Sequence, residues 1–419
     1  MIEPIDLFAI LLALAVLIGC VNHLWIGLPA GIGMLLGSLI VSLIIAGSDR
    51  ILHLHAMSWF RTTLDSAELP QFFLNGVLAL LLYAGSLHVD VAELKRRAWI
   101  IGLLATASVI ISTLIFGFGI WYILRAMGSS IPLAWCAMLG AILAPTDAVV
   151  VENIVRRTNL PPGLRAAIVG ESLFNDGAGV VLFLLALGVI QGEVVTLGHG
   201  EVLLALAREI SGGALLGFVA GWLAALLMQR IRDDEGLHLL ISLALVLGCY
   251  RMAMFADLSG PIAVVTAGLC MASRSPRFGM ANDSRDVVLR FWSMLDQLLN
   301  TMLFLLIGLQ ILGLVVSLNQ LMPIAYIVPL AVIARFISVA IPLALSRETL
   351  REKASDTAVL TWAGLRGGIS IALALTLPDG AWRTELLVVT YAVVVFTIVV
   401  QGLTLSRFLR LIYGAKPSG

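Results

Sequence analysis

Apolar runs that read as membrane spans recur about thirteen times along this chain, separated by clusters of charged and turn-forming residues. A helix needs about 20 apolar residues to cross about 30 Å of hydrocarbon, and helices are favoured there because they satisfy their own backbone hydrogen bonds. The pattern predicts spans at approximately Leu7–Val21, Ile26–Ala46, Gln71–His88, Ala98–Met127, Ile131–Val155, Arg165–Ile190, Val202–Met228, Gly236–Phe255, Gly260–Ala272, Phe291–Leu314, Leu321–Leu345, Ala354–Leu377 and Thr384–Ile412. Between spans two and three, residues 50–70 carry His53, His55, Trp59 and Phe60 and read as an interfacial helix or an external loop.

Composition removes the soluble classes. Of 419 residues, 60% are hydrophobic and 12% charged, and the mean hydropathy of +1.03 is far above that of a water-soluble domain of this length. The 26 Lys+Arg balance the 26 Asp+Glu, so net charge offers nothing to nucleic acid. Where the charges sit is more telling: the odd-numbered loops and the C-terminus, with the span ends beside them, carry eighteen Lys and Arg, and the even-numbered loops with theirs carry five. Basic residues stay cytoplasmic, which predicts a multi-pass inner-membrane protein with its N-terminus outside and its C-terminus inside. Glu3 and Asp6 make the N-terminus acidic where a cleavable signal would be basic, so the first apolar run reads as a retained span. The four cysteines stand singly in apolar runs, with no metal-ligand spacing, and read as packing residues.

An ionisable side chain at bilayer depth costs about 2.5–3.5 kcal/mol on insertion scales, so such residues mark pathways or pair with one another. Five stand out: Asp147 in span five, Glu171 and Asp176 in span six, Arg335 in span eleven and Arg366 in span twelve. Span six reads Glu171-Ser172-Leu173-Phe174-Asn175-Asp176. Ser172 with Asp176 and Glu171 with Asn175 are i,i+4 pairs, so four polar groups share one stripe of an apolar helix. Two carboxylates within six residues exceed what helix packing alone needs. In span five, Pro145 precedes Thr146 and Asp147 and disfavours continued helix. In span twelve, Gly364, Gly367 and Gly368 surround Arg366. With span seven as a linker, spans one to six and eight to thirteen form two inverted six-helix repeats, and the breaks in spans five and twelve fall at matching positions. Such paired discontinuous helices point to a transporter site at the midplane.

The chemistry follows from the residue types. Asp176 and Asp147 are oxygen ligands of the kind Na⁺ prefers, and Thr146, Ser172 and freed carbonyls add neutral oxygens. A carboxylate removed from water also favours its protonated form, so one group can hold Na⁺ or H⁺ but not both together. That competition is the minimum requirement for exchange. Arg366 needs a buried anionic partner, and the sequence suggests Glu171, a structural ion pair linking spans six and twelve. Arg335 reads as pairing with a carboxylate or capping a core helix. Asp296 with Asn300 reads as a packing or funnel pair, and His88, His199 and His238 as solvated span-end residues.

At Pro145-Thr146-Asp147, at Glu171 through Asp176, at Phe291 through Gly308 and at Gly364-Leu365-Arg366-Gly367, the sequence resembles the monovalent cation:proton antiporters of the sodium/proton exchanger type. The resemblance spans nearly the whole membrane domain. It implies an all-α thirteen-helix fold within residues 1–412 and a short cytoplasmic tail, 413–419. Spans one to three and eight to ten (about 7–88 and 236–314) would form a dimer domain. Spans four to six and eleven to thirteen (about 98–190 and 321–412) would form a core domain, joined by linker span seven (about 202–228). It also implies a homodimer and elevator-like alternating access. By the same resemblance Asp176 is the ion- and proton-binding carboxylate, Thr146 and Ser172 are further Na⁺ ligands, Asp147 is a site residue and Glu171 with Arg366 is the ion pair. Asn175, where electrogenic relatives carry a second acid, marks electroneutral one-for-one exchange. One departure is Ala84, where the archaeal branch often has a span-three glutamate beside the cation path.

The resulting expectation is a Na⁺/H⁺ antiporter, not an enzyme, with no cofactor, working on a monovalent cation and a proton in the lipid bilayer. Li⁺ or K⁺ in place of Na⁺, or another small ion on the same fold, is the alternative. A channel would need neither two matched breaks nor a lone titratable site. An intramembrane aspartyl protease would need Gly-x-Gly-Asp around its aspartates, and Pro-Thr-Asp and Phe-Asn-Asp-Gly stand here instead.

Overall fold

The computed structural model describes residues 4–52, 76–147, 160–192, 199–231, 234–273, 282–310, 318–346 and 350–413, with residues 151, 154, 155 and 158. These residues form helices and connecting turns. Spans one to three are α1 (Pro4–Val21), α2 (Ala30–Leu52) and α3 (Leu78–Leu87). After the short α4 (Val91–Arg96), span four is α5 (Ala98–Ala105) continued by α6 (Ala107–Ala126). Span five begins with α7 (Leu133–Leu143), and spans six to eleven are α8 (Pro162–Gln191), α9 (His199–Arg230), α10 (Glu235–Phe255), α11 (Gly260–Ala272), α12 (Asn282–Gln310) and α13 (Leu318–Ala344). Span twelve is split into α14 (Leu350–Trp362) and α15 (Gly368–Leu375), and span thirteen is α16 (Arg383–Phe396) and α17 (Gly402–Tyr413) joined by a π-turn. Every expected span thus has its helix. Among the described residues nine helical runs are long and apolar enough to cross a membrane unaided; spans three and nine are short, and five and twelve are broken. Most of the 50–70 stretch, the start of span three, the end of span ten and the tail beyond Tyr413 lie outside the described residues.

The helices pack as two bundles. In one, α12 lies along α2, and α11 sits among α3, α9 and α10; in the other, α6 lies against α7 and α13, α8 against α5 and α7, and α16 against α13 and α15. Without water to drive apolar surfaces together, membrane helices associate by close backbone approach. Span seven does this with Gly213, Gly217 and Gly221, one turn apart on α9. A Cβ on any of them would press into the backbone carbonyl of Ser259, which caps the start of α11, or of Ala263 or Ala267 within it. Polar side chains add joints: Ser42 Oγ donates to the Gly308 carbonyl (2.8 Å), tying α2 to α12.

Across the seam between the bundles glycines meet aliphatic side chains. Gly177 on α8 faces Ile262 on α11, Gly368 on α15 faces Leu303 on α12, and Gly402 on α17 faces Ile32 on α2. A small apolar cavity of about 10 Å³ lies between Leu78 and Leu81 on one side and Ile369 and Ala372 on the other. One side-chain hydrogen bond joining the two sides runs from Tyr391 Oη to Gln310 Oε1.

Two sequence expectations need correction. His238, read as solvated, is fully buried, with Nε2 3.1 Å from the Met228 carbonyl. The last carbonyls of α9 have no helical partner, and the imidazole supplies one. The cysteines are free, and Cys136 and Cys249 are buried packing residues, but Cys20 is exposed.

Candidate functional site

The site forms where two helices stop. α7 ends at Leu143 because Pro145 lacks an N–H and its ring crowds the preceding turn. α14 ends at Trp362, and the chain runs without helix through residues 363–367 before α15 begins. The two breaks cross. The Asp147 N–H donates to the Leu365 carbonyl at 2.7 Å, and Arg366 Nη1 donates to the carbonyls of Ala144 and, at 2.9 Å, Pro145. Carbonyls freed by one broken helix are therefore met by the arginine of the other. Gly367 lies directly beneath the Asp147 carboxylate, where a Cβ would overlap its oxygens. At this position only a glycine leaves room for so close an approach.

Past this crossing runs α8, unbroken from its start at the Pro161-Pro162 pair to a C-cap at Gly192 with φ +80°. Ser172 Oγ donates to the Thr146 carbonyl at 2.7 Å, and Asn175 Nδ2 donates to Thr146 Oγ1 at 2.8 Å. Thr146 is thus held at backbone and side chain. Asp176, one turn beyond Ser172, is 7% exposed, and among the described residues none hydrogen-bonds its carboxylate. The charge of Asp147 acts on it. The other amide atom of Asn175, Oδ1, is buried with no partner among the described residues. The structure therefore brings together all five sequence candidates: Asp176, Asp147, Thr146, Ser172 and Asn175.

The expected ion pair between Glu171 and Arg366 is replaced by another. Glu171 is held bidentately by Arg335 of α13, through Oε1 with Nη1 and Oε2 with Nη2 at 2.9 Å. Arg335 Nη2 also reaches the Leu360 carbonyl at 3.1 Å. The reason is local: at a helix break the unsatisfied backbone carbonyls claim Arg366, whereas Arg335 rises from an unbroken part of α13 with its fork free for a carboxylate. Beside this pair, Thr146, Asp147 and Ser172 border a small cavity of about 10 Å³.

Other candidates stay outside. Asn300 Nδ2 donates to Asp296 Oδ1 at 3.0 Å along α12, a bond within one helix. Ala84 on α3 is buried and brings no carboxylate. Sequence reasoning missed a further contact: Thr397, in the π-turn of span thirteen, accepts the Arg366 N–H at 3.1 Å. No spacing in the sequence signals it.

Comparison with known proteins gives consistent matches. The family model described as sodium/hydrogen exchanger, transmembrane, matches residues 10–411. The chain is 35% identical over 418 residues to the Na(+)/H(+) antiporter NhaP of Pseudomonas aeruginosa, covering 99% of this chain and 98% of that protein. It is 30% identical over 321 residues to the Na(+)/H(+) antiporter NhaH of Halobacillus dabanensis, covering 75% and 76% of the two. Among solved structures, the sodium proton antiporter MjNhaP1 from Methanocaldococcus jannaschii superposes with a TM-score of 0.67 at 19% identity, over 92% of this chain and 99% of that one.

Proposed function

Because the chain belongs to the sodium/hydrogen exchanger family, we propose that it is a secondary antiporter exchanging Na⁺ for H⁺ across the membrane, one for one, with both ions competing for Asp176. The observation that carries this reading is the buried Asp176 carboxylate, without a hydrogen-bond donor among the described residues, beside the crossing of two broken helices. A group left so in a protein interior requires a cation or a proton. Thr146 and Ser172 supply neutral oxygens, and Asp147 attracts the cation and steadies the crossing.

Formal charges explain the coupling. Three carboxylates, Asp147, Glu171 and Asp176, face two guanidinium groups, Arg335 and Arg366, which leaves one negative charge when the site is empty. One Na⁺ or one H⁺ cancels it. At about 2.5–3.5 kcal/mol for an uncompensated charge at bilayer depth, the empty form crosses roughly a hundredfold less readily than either loaded form. Exchange therefore outruns leakage. Asn175, neutral and bonded to Thr146, keeps the count at one.

On this reading the bundle of α5 to α8 and α13 to α17 is the core domain that carries the site past the other bundle. The glycine-against-aliphatic seam supports such movement, since among the described residues few side-chain hydrogen bonds join the bundles. The other bundle forms a homodimer, span seven links the two, and the protein sits in the inner membrane with its N-terminus outside and C-terminus in the cytoplasm. The named relatives are antiporters, which supports a transporter and not an enzyme.

The test uses purified wild type and Asp176→Asn in liposomes with a pH-sensitive dye, an imposed proton gradient, and Na⁺, Li⁺ or K⁺ added in turn. Dissipation by wild type with Na⁺, absent in the variant, is the expected result. Response to K⁺ alone would change the cargo, silence with all three ions would end the cation reading, and normal transport by the variant would remove Asp176 from its role.

A further inference from the structure

Span thirteen departs from regular helix at one place, the π-turn Thr397–Gln401. Single π-turns insert a residue into a helix and recur at functional sites. This one brings Thr397 against the break in span twelve. Thr397 is 3% exposed, and its hydroxyl is fully committed: Oγ1 donates to the Val394 carbonyl at 2.9 Å and accepts the Arg366 N–H at 3.1 Å. The first bond fixes the hydroxyl's rotation, so its lone pairs face Arg366.

The Arg366 N–H lies between α14 and α15 and has no helical carbonyl to take it. On either side of that N–H stand the two links that lock the broken helices together. The Leu365 carbonyl, in the same peptide unit, receives the Asp147 N–H, and the Arg366 side chain holds the Ala144 and Pro145 carbonyls. A peptide plane is rigid, so fixing its N–H also fixes the direction of its carbonyl. Removing the Thr397 acceptor leaves that plane free to turn, and Asp147 turns with it.

We infer that Thr397 is a positioning residue for cation binding: from the π-turn it orients the Leu365–Arg366 peptide, and through that peptide the Asp147 backbone and the carbonyls held by Arg366. The inference rests on the exchange reading above. It assigns to span thirteen a part in the site although none of its side chains reaches Asp176 in the contacts described.

The test compares wild type with Thr397→Val, Thr397→Ser and Thr397→Cys in the same proteoliposomes, measuring the half-saturating Na⁺ concentration and the maximal exchange rate separately, with melting temperature as a control. Valine keeps the shape and removes the acceptor, serine retains it, and cysteine offers a weak one. An unsatisfied buried donor corresponds to roughly a tenfold rise in half-saturating Na⁺ for valine. Serine should match wild type, and cysteine should fall between. If valine fails to fold, the serine and cysteine pair carries the comparison. Unchanged half-saturation in valine, or a serine variant as impaired as cysteine, overturns the inference. Silent wild type would instead indict the exchange reading itself.

Discussion

The Glu171–Arg335 pair gives the sharpest test of how the site is held. Its two side chains are 1% and 6% exposed, joined by two hydrogen bonds. Removing one partner strands the other charge in the interior, which costs about 3–5 kcal/mol, whereas removing both leaves no bare charge and is often nearly neutral. Glu171→Leu and Arg335→Leu should therefore each destabilise by about 3–5 kcal/mol, and the double variant by markedly less than their sum. The interaction energy from such a cycle should reach about 3 kcal/mol, at the upper end for residues in direct contact. Reversible unfolding in mixed detergent micelles, followed by tryptophan fluorescence on wild type, both single variants and the double variant, measures it. A parallel cycle pairing Glu171 with Arg366 should yield far less, because Arg366 is spent on backbone carbonyls. Additive losses for Glu171 with Arg335, or stronger coupling to Arg366, would refute the pairing and the reasoning behind it.

Two further outcomes follow from close approaches. Gly367→Ala puts a methyl group onto the Asp147 side chain and should lower exchange about a hundredfold, the scale of an ångström-sized misplacement, together with a lower melting temperature; wild-type transport by this variant would contradict the crossing geometry. Gly217→Leu forces α9 away from the Ala263 carbonyl and should destabilise by about 1–3 kcal/mol or more, seen as a lower melting temperature in detergent, and an unchanged melt would show that α9 and α11 do not pack this way.

Much of this architecture was legible because hydrophobic runs and helix breakers act locally. Pro145 stops α7, and Gly364 to Gly368 stop α14, wherever the rest of the chain lies. The stripe from Glu171 to Asp176 follows from helical spacing alone. The partner of Glu171 did not, because Arg335 and Arg366 are both buried arginines, and only the position of unsatisfied carbonyls decides which one remains for a carboxylate. His238 was misread for a similar reason: its place near a span end says nothing of the α9 carbonyls packed over it. The Gly213, Gly217 and Gly221 ladder announces a close neighbour for α9 without naming α11. Thr397 was invisible because a π-turn is a matter of register, and register is set by what the helix packs against.

The charge inventory around Asp176 has an electrical consequence. Moving one elementary charge across 100 mV of membrane potential is worth about 2.3 kcal/mol. Two guanidinium groups against three carboxylates make the core neutral whenever it carries one Na⁺ or one proton, so on the proposed cycle the membrane potential performs no work on either loaded crossing. A cell using such a protein would extrude or admit sodium according to the two concentration ratios alone, and could depolarise without altering the direction of the exchange.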